Sequence, residues 1–221
     1  MYKRQVDWQS SSANNIVLVE SGKQYKVLTL TDCFEYDEKT YNYYGSYSFT
    51  GTKIEQAVVT AILNVTTDDK VVVDMIKGNN EQDYSSLKTL LENNAYQVNE
   101  VSLATGDFDS NAKIAIMYAP SVDLDEKIVE KLSTWLSNDG KYGRSLIYVP
   151  TADMGEMPNL DDFLKEWGMS SDRGYVFETD ESTLVSASSP YAFTVSYGDY
   201  YKDNLKNSKI PVVVSESHAV N

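Results

Sequence analysis

Residues 112–150 read AKIAIMYAPSVDLDEKIVEKLSTWLSNDGKYGRSLIYVP. The run 112–119 is short, almost continuously apolar and closed by Pro120, which has no N–H to give a ladder. It is the most buried-looking strand of the sequence. Asp123 and Glu126 stand three apart before the next apolar series, a capping-box-like helix start with aspartate in the capping position. Leu124, Ile128, Leu132, Trp135 and Leu136 recur at helical spacing and predict one buried stripe. Gly140 falls where a C-terminal cap belongs. Residues 145–149, Ser-Leu-Ile-Tyr-Val, form a second short apolar strand, again closed by proline. Strand, helix and strand in this order imply a parallel sheet covered on both faces.

The same alternation continues outward. On the N-terminal side, residues 71–76 read as a strand broken by Gly78-Asn79-Asn80. Tyr84, Leu87, Leu90 and Leu91 predict a helix stopped at Asn93-Asn94, and residues 96–103 a further strand. Before them, Ile54, Ala57, Val58, Ala61, Ile62 and Val65 make an apolar stripe at helical spacing. On the C-terminal side, Asn159 starts a helix with Leu160, Phe163, Leu164 and Trp167 inward, Gly168 closes it, and residues 175–177 read as a last short strand. The expected fold class is α/β: a three-layer sandwich with a mostly parallel, flavodoxin-like sheet built by right-handed crossovers.

Two flanks differ in pattern. Residues 16–20 and 25–30 predict an N-terminal β-hairpin, with Gly22 available for a positive φ. Residues 34–49 are crowded with tyrosine and acid, which suits a half-exposed strand or folded loop rather than a core helix. From residue 181 serine, tyrosine and polar residues rise, which predicts a β-rich extension. The expected segments are 6–50 as a β appendage, 51–180 as the sandwich core and 181–221 as an extension that looks cut short. Residues 1–5, Met-Tyr-Lys-Arg-Gln, match the translation of a common sequencing adaptor read from an internal GTG start and are expected to be foreign to the protein.

Composition narrows the function. The chain has 221 residues, 42% of them hydrophobic, which is enough for a packed core. Its formal net charge is −14, from 33 acidic and 19 basic residues. Such a surface repels phosphate backbones and anionic headgroups, so nucleic acid is not an expected partner. No apolar run approaches the ~18 residues of a membrane-spanning helix. The lone cysteine, Cys33, has no partner for an intrachain disulfide.

Candidate chemistry is sparse. Cys33 and His218 are the only residues for a nucleophilic dyad, and neither lies on a sharp turn after a core strand. No Gly-x-Ser-x-Gly elbow, Gly-x-Gly-x-x-Gly turn or Walker lysine occurs. Asp107, Asp109, Asp123 and Asp125 are expected at strand ends brought together by the sheet, as hard-cation ligands or, more simply, as helix caps. Asn64-Val-Thr66 matches a glycosylation sequon, but at a helix end it carries no weight. No cofactor, metal or catalytic residue is expected. A ligand crevice, if present, belongs at the carboxyl ends of the strands, lined by Gly78, Asn79, Glu81, Pro120 and Asp123. Tyr36, Tyr41, Tyr43, Tyr44 and Tyr47 either form a recognition surface or pack the β appendage. Tyrosine offers large contact area at low entropic cost.

An ordered series of motifs carries a family resemblance. The stretch 49–67, Phe-Thr-Gly-Thr-Lys-Ile-Glu-Gln-Ala-Val-Val-Thr-Ala-Ile-Leu-Asn-Val-Thr-Thr, leads into the strand 70–76 and the turn Gly78-Asn79-Asn80-Glu81. Ala119-Pro120-Ser121-Val122-Asp123-Leu124 follows, then 135–141, Trp-Leu-Ser-Asn-Asp-Gly-Lys, and 158–168, Pro-Asn-Leu-Asp-Asp-Phe-Leu-Lys-Glu-Trp-Gly. Over residues 16–215 the chain resembles the GldG-like auxiliary proteins of ABC transport systems. It departs from them at the turn, where the family's Gly-His-Gly-Glu is Gly-Asn-Asn-Glu. The resemblance implies a non-catalytic accessory or scaffold domain outside a bacterial cell membrane. It would act by protein–protein interaction beside ABC permease and ATPase subunits, anchored by membrane segments beyond this chain. The alternative is a sensory α/β module that binds a small molecule or glycan at the sheet's carboxyl edge.

Overall fold

The computed structural model describes residues 15–151, 154–172, 174–198 and 211–219. Residues 1–5 and part of the 181–221 extension therefore lie outside the described residues. In chain order the elements are β1 (Val17–Ser21), β2 (Gln24–Leu28), α1 (Leu30–Cys33), β3 (Phe34–Tyr36), α2 (Glu38–Tyr44), β4 (Phe49–Thr52) and α3 (Ile54–Thr66). They continue as β5 (Val72–Ile76), α4 (Ser85–Asn93), β6 (Gln97–Val101), β7 (Ala112–Tyr118), α5 (Glu126–Ser137), β8 (Ser145–Val149) and α6 (Pro158–Glu166). The chain ends with β9 (Leu184–Ser186), β10 (Ser189–Val195) and β11 (Val212–Ser215).

Four strands form one parallel sheet in the order β6-β5-β7-β8. Gln97 N–H donates to the Val71 carbonyl at 3.0 Å and Lys77 N–H to the Val101 carbonyl at 2.9 Å, the slanted pattern of a parallel pair. The strand order reverses between β5 and β7, which makes the sheet flavodoxin-like. The α/β sandwich expected from the sequence is the observed fold class. The chain divides into two compact units, residues 1–73 with 84–98, and residues 74–83 with 99–221, so the boundary crosses β5 and β6.

In the first unit β1 and β2 form the expected hairpin, with Gly22 at φ 58°. Leu28, Cys33, Ala57 and Ala61 make its small apolar core, with Val19, Phe34 and Val58 packed against it. The buried face of α3 is Ala57, Ala61, Asn64 and Val65. Ile54 and Ile62, expected inside, are exposed. The helix is apolar on more than one side, so spacing alone could not choose its inner face. Asn64 is buried because its amide donates to the carbonyls of Thr60 at 3.1 Å and Asn93 at 3.0 Å and accepts from Lys70 at 3.2 Å. The sequon asparagine therefore joins α3 to the end of α4. Residues 38–44, expected as strand or loop, are the helix α2. Asp37 caps it by accepting from the N–H groups of Lys39 and Thr40, and Gly45 closes it at φ 66°. Its seven residues bury nothing, so no apolar stripe announced it.

The fully buried strand is β5, all five residues of it, rather than β7. Asp74 is part of that strand and 1% exposed. Its carboxylate accepts from the Asp109 N–H at 2.7 Å and the Asn99 amide at 3.0 Å, which answers the cost of burying it. Asp109 lies in the connection from β6 to β7, residues 102–111, which carries no helix. Lys131 satisfies that segment instead, donating to the carbonyls of Leu103 at 2.9 Å and Gly106 at 2.6 Å. Asp107 and Asp109 precede β7 while Asp123 and Asp125 follow it. A strand separates the two pairs, so the sheet does not gather the four aspartates. Among the described residues no group of three or more His, Cys, Asp or Glu is placed to hold a metal ion.

Helix ends shift from their expected places. Asp125, not Asp123, caps α5, accepting from the N–H groups of Lys127 and Ile128. Asn138, left-handed at φ 48°, ends it two residues before Gly140. Leu160, Phe163 and Leu164 of α6 are buried as expected, but Trp167 is exposed beyond its last turn. Residues 175–177 join no strand ladder, although Val176 N–H donates to the Ser217 carbonyl at 2.8 Å. The C-terminal extension is β-rich: β11-β10-β9 form an antiparallel sheet.

Candidate functional site

The residues expected at the strand carboxyl ends do converge. Gly78, at φ 118°, turns the chain after β5 so that its N–H and that of Asn79 point into one concavity. Such paired N–H groups make an anion nest. The nest is filled from within: the Glu81 carboxylate accepts from Gly78 N–H at 2.9 Å and from Asn79 N–H at 3.1 Å. Asn79 is itself buried and donates its amide to the Asp123 carbonyl at 3.1 Å, while its own carbonyl accepts from the N–H groups of Ser121 and Val122. The Asn80 amide donates to the Ser121 hydroxyl, which donates in turn to the Asn80 carbonyl. Pro120 is fully buried.

Asp123 reaches across to another helix. It accepts from the N–H groups of Asn159 at 3.0 Å and Leu160 at 3.1 Å, so it caps α6, and also from Leu124 N–H at 2.9 Å. Asn159 returns a bond to the Leu124 carbonyl at 2.7 Å. These groups spend their polarity on one another and form a latch between the β5 turn, the β7 turn and α6. A free anion at this edge has to displace Glu81.

The tyrosine segment is built differently. Phe34 and Tyr36 alternate along β3, Phe49 opens β4 and Tyr47 lies just before it; ring contacts, across an irregularity in the β3–β4 register, bring the four together. Tyr41 of α2 stacks on Tyr47 at 4.6 Å and 15°, and Tyr47 stacks on Phe49 at 5.9 Å and 8°. Tyr36 meets Tyr41 and Tyr47 edge-on, and Phe34 contacts Phe49 at 5.2 Å. Hydrogen bonding to Tyr41, with desolvation beside it, holds the Tyr47 phenol above its usual range. Tyr43 and Tyr44 form a separate edge-on pair at 4.7 Å and are 81% and 72% exposed. Glu38 precedes Tyr41 by three residues on α2 and so shares its side of the helix. Sequence reasoning singled out Tyr36, Tyr41, Tyr43, Tyr44 and Tyr47 but not Phe34 and Phe49. Their period-two spacing with Tyr36 and Tyr47 was the available signal.

The residues considered for a dyad have other settings. Cys33 is packed in the apolar core of the first unit. His218, in the second, stacks on Tyr175 and turns Nδ1 toward the Asp172 carbonyl at 3.2 Å. A further groove of about 690 Å³ runs along α5 beside Phe108 and Trp135. Two of its three cations are engaged: Lys131 with Asp107 at 2.9 Å, and Arg144 with the Trp135 carbonyl at 2.9 Å; the third is Lys127.

No protein-family model and no curated protein sequence matches the chain. Among solved structures, the "mmIFT52 N-terminal domain" is similar at 12% identity with a TM-score of 0.48, over 68% of each chain.

Proposed function

We propose that this chain is a non-catalytic interaction domain of an ABC-type transport assembly, acting outside a bacterial membrane and gripping a protein partner through the tyrosines of α2. The observation that carries the interaction reading is the exposed aromatic cluster. Tyr43 and Tyr44 spread two rings into solvent on a capped helix, and the stacked Tyr41–Tyr47–Phe49 group lies in the same segment. Rigid aromatic side chains of this kind make efficient contact residues. The transport context rests on the motif series from Phe49 to Gly168 that resembles GldG-like proteins. Its expected partners are the permease and ATPase subunits of the same system, and its anchoring segments lie beyond this chain. The alternative, small-molecule binding at the strand edge, gains nothing from a turn whose nest already holds Glu81.

The test is co-purification of the tagged full chain, cross-linked in cells that carry its neighbouring genes. The permease and ATPase of one ABC system should be recovered with it. They should be lost from a Tyr43→Ser/Tyr44→Ser variant that folds normally. Recovery of no such subunits sinks the transport reading. Equal recovery with the double variant removes the tyrosines from it.

A further inference from the structure

We propose that a groove beside α3 binds a small phosphate monoester, whose dianion Lys26 and Lys53 share. The inference is independent of the transport reading, because every residue it uses lies in the first unit. The groove holds about 400 Å³ and runs between β2 and the first two turns of α3 toward the end of α4. That volume suits a small ligand.

Both lysines grow from core-facing positions. Along β2, Lys26 is two residues from the buried Leu28 and stands opposite Val19, which packs on the same apolar core. Lys53 precedes Ala57 by four residues and Ala61 by eight, so it continues the buried stripe of α3. Each lysine is half-buried, and among the described residues neither ammonium meets a carboxylate or any other acceptor. Half-buried lysines elsewhere have acceptors: Lys70 reaches the Asn64 amide oxygen at 3.2 Å and Lys131 the Asp107 carboxylate at 2.9 Å. Asp32 is the one carboxylate among the residues lining the groove. It is spent on its own turn, accepting from the N–H and the hydroxyl of Thr29 at 2.7 Å each. The groove thus carries a net positive charge in a chain of net charge −14.

Stability does not explain this placement. Lys53 is the N-cap of α3, where a short side chain with an oxygen is favoured, and its cation stands at the positive end of the helix dipole. The roots of both side chains are nevertheless fixed. Lys53 N–H donates to the Cys33 carbonyl at 2.8 Å, and Lys26 is held in the β1–β2 ladder. Two positive charges anchored on separate elements beside one groove repel each other until an anion joins them. The chemistry of the lining narrows the anion. No arginine is among the residues lining the groove, so nothing there grips a planar carboxylate by two parallel bonds. Lysine is a point charge, and a phosphate dianion, with oxygens in several directions, can meet two of them at once. The amides of Gln56 and Asn93 line the same groove and can bond neutral oxygens of the ester's organic part. The net charge of −14 repels phosphate polymers, so the site favours a small molecule.

Isothermal titration calorimetry of the full chain at low salt should show one site for glycerol phosphate, of millimolar affinity or tighter. Inorganic phosphate should bind about tenfold more weakly, and glycerol not at all. Lys26→Gln and Lys53→Gln should each weaken glycerol phosphate by about tenfold or more, with circular dichroism unchanged. Lys53→Gln should not lower the melting temperature, because it takes a cation away from a helix start. Lys127→Gln, at an exposed lysine of the second unit, controls for overall charge and should bind as the wild type does. No binding of glycerol phosphate up to about ten millimolar overturns the proposal. So does binding that neither groove variant weakens, or a loss that Lys127→Gln shares equally. Inorganic phosphate bound as tightly as glycerol phosphate overturns the assignment to an ester.

Discussion

The turn after β5 and the segment around α2 both concentrate unusual side chains, and they use them in opposite ways. At the turn, Glu81, Asn79, Asp123 and Asn159 answer one another's hydrogen bonds and leave little for an outside ligand. Around α2, Tyr43 and Tyr44 leave most of their surface in water. A cluster of polar residues at the functional edge of a parallel sheet is thus a latch, while the aromatic surface lies outside the sheet. Proximity to the expected ligand edge says less than whether the groups converging there still have bonds to give.

If that contrast holds, the largest effects on folding should come from the latch. Asp123→Ala removes the carboxylate that accepts from Asn159, Leu160 and Leu124, and leaves the start of α6 unsatisfied. Urea denaturation should show a loss of about 2–3 kcal/mol. A loss below about 0.5 kcal/mol would mean water replaces Asp123 freely, and the latch would be no latch. Gly78→Ala should follow at about 1–3 kcal/mol. Its backbone sits at φ 118°, and an added Cβ would stand 3.2 Å from Ser102 Oγ. Glu81→Ala should cost about 1–2 kcal/mol by emptying the nest. This variant also sharpens the comparison, because two orphaned N–H groups should then bind sulfate measurably at a turn where the wild type does not.

The sequence carried the layout of the sheet well and the roles of its polar residues poorly. Short apolar runs at 71–76, 112–119 and 145–149, closed by Gly78, Pro120 and Pro150, were enough to give parallel strands, although only β5 is buried along its whole length. Asp123 shows what was missing. Its position ahead of an apolar series fits a local cap, but the helix it serves begins at Pro158, and no local pattern encodes a contact over that separation. Asp74 was hidden for a similar reason: its partners, Asn99 and the Asp109 N–H, lie beyond a helix and a strand. The helix α2 escaped a reading based on apolar stripes because it buries none of its residues. Its signals were Asp37 and Gly45, a cap at each end.

Within the tyrosine segment the comparison predicts a division of labour. Tyr41→Ser and Tyr47→Ser each break the stacked pair and should cost about 0.5–1.5 kcal/mol of stability. Tyr43→Ser and Tyr44→Ser remove rings that are already in water and should stay within about 0.5 kcal/mol of wild type. Melting curves of the four single variants separate the two groups. If Tyr43→Ser destabilises as much as Tyr47→Ser, the outer pair is structural and the open surface proposed for partners shrinks to the ring edges.

The smallest effect should be the response of α2 to acid. Asp37 accepts from the Thr40 hydroxyl at 2.7 Å and from the N–H groups of Thr40 and Lys39, and the Thr40 hydroxyl bond is the largest cause holding its carboxyl below the ordinary 3.8. A depressed folded pKa contributes stability that is present above the unfolded value and lost as pH falls through the folded one. The cap should therefore weaken only below about pH 4, and only slightly, because the site is fully exposed to solvent. Near-ultraviolet circular dichroism reports the tyrosine stack that α2 supports, and it should begin to change in this window. Asp37→Ser keeps a capping oxygen without a titrating proton. In that variant the early acid change should disappear while the rest of the acid transition stays. An unchanged early transition would mean that some other carboxylate, and not the cap of α2, governs how the tyrosines are presented.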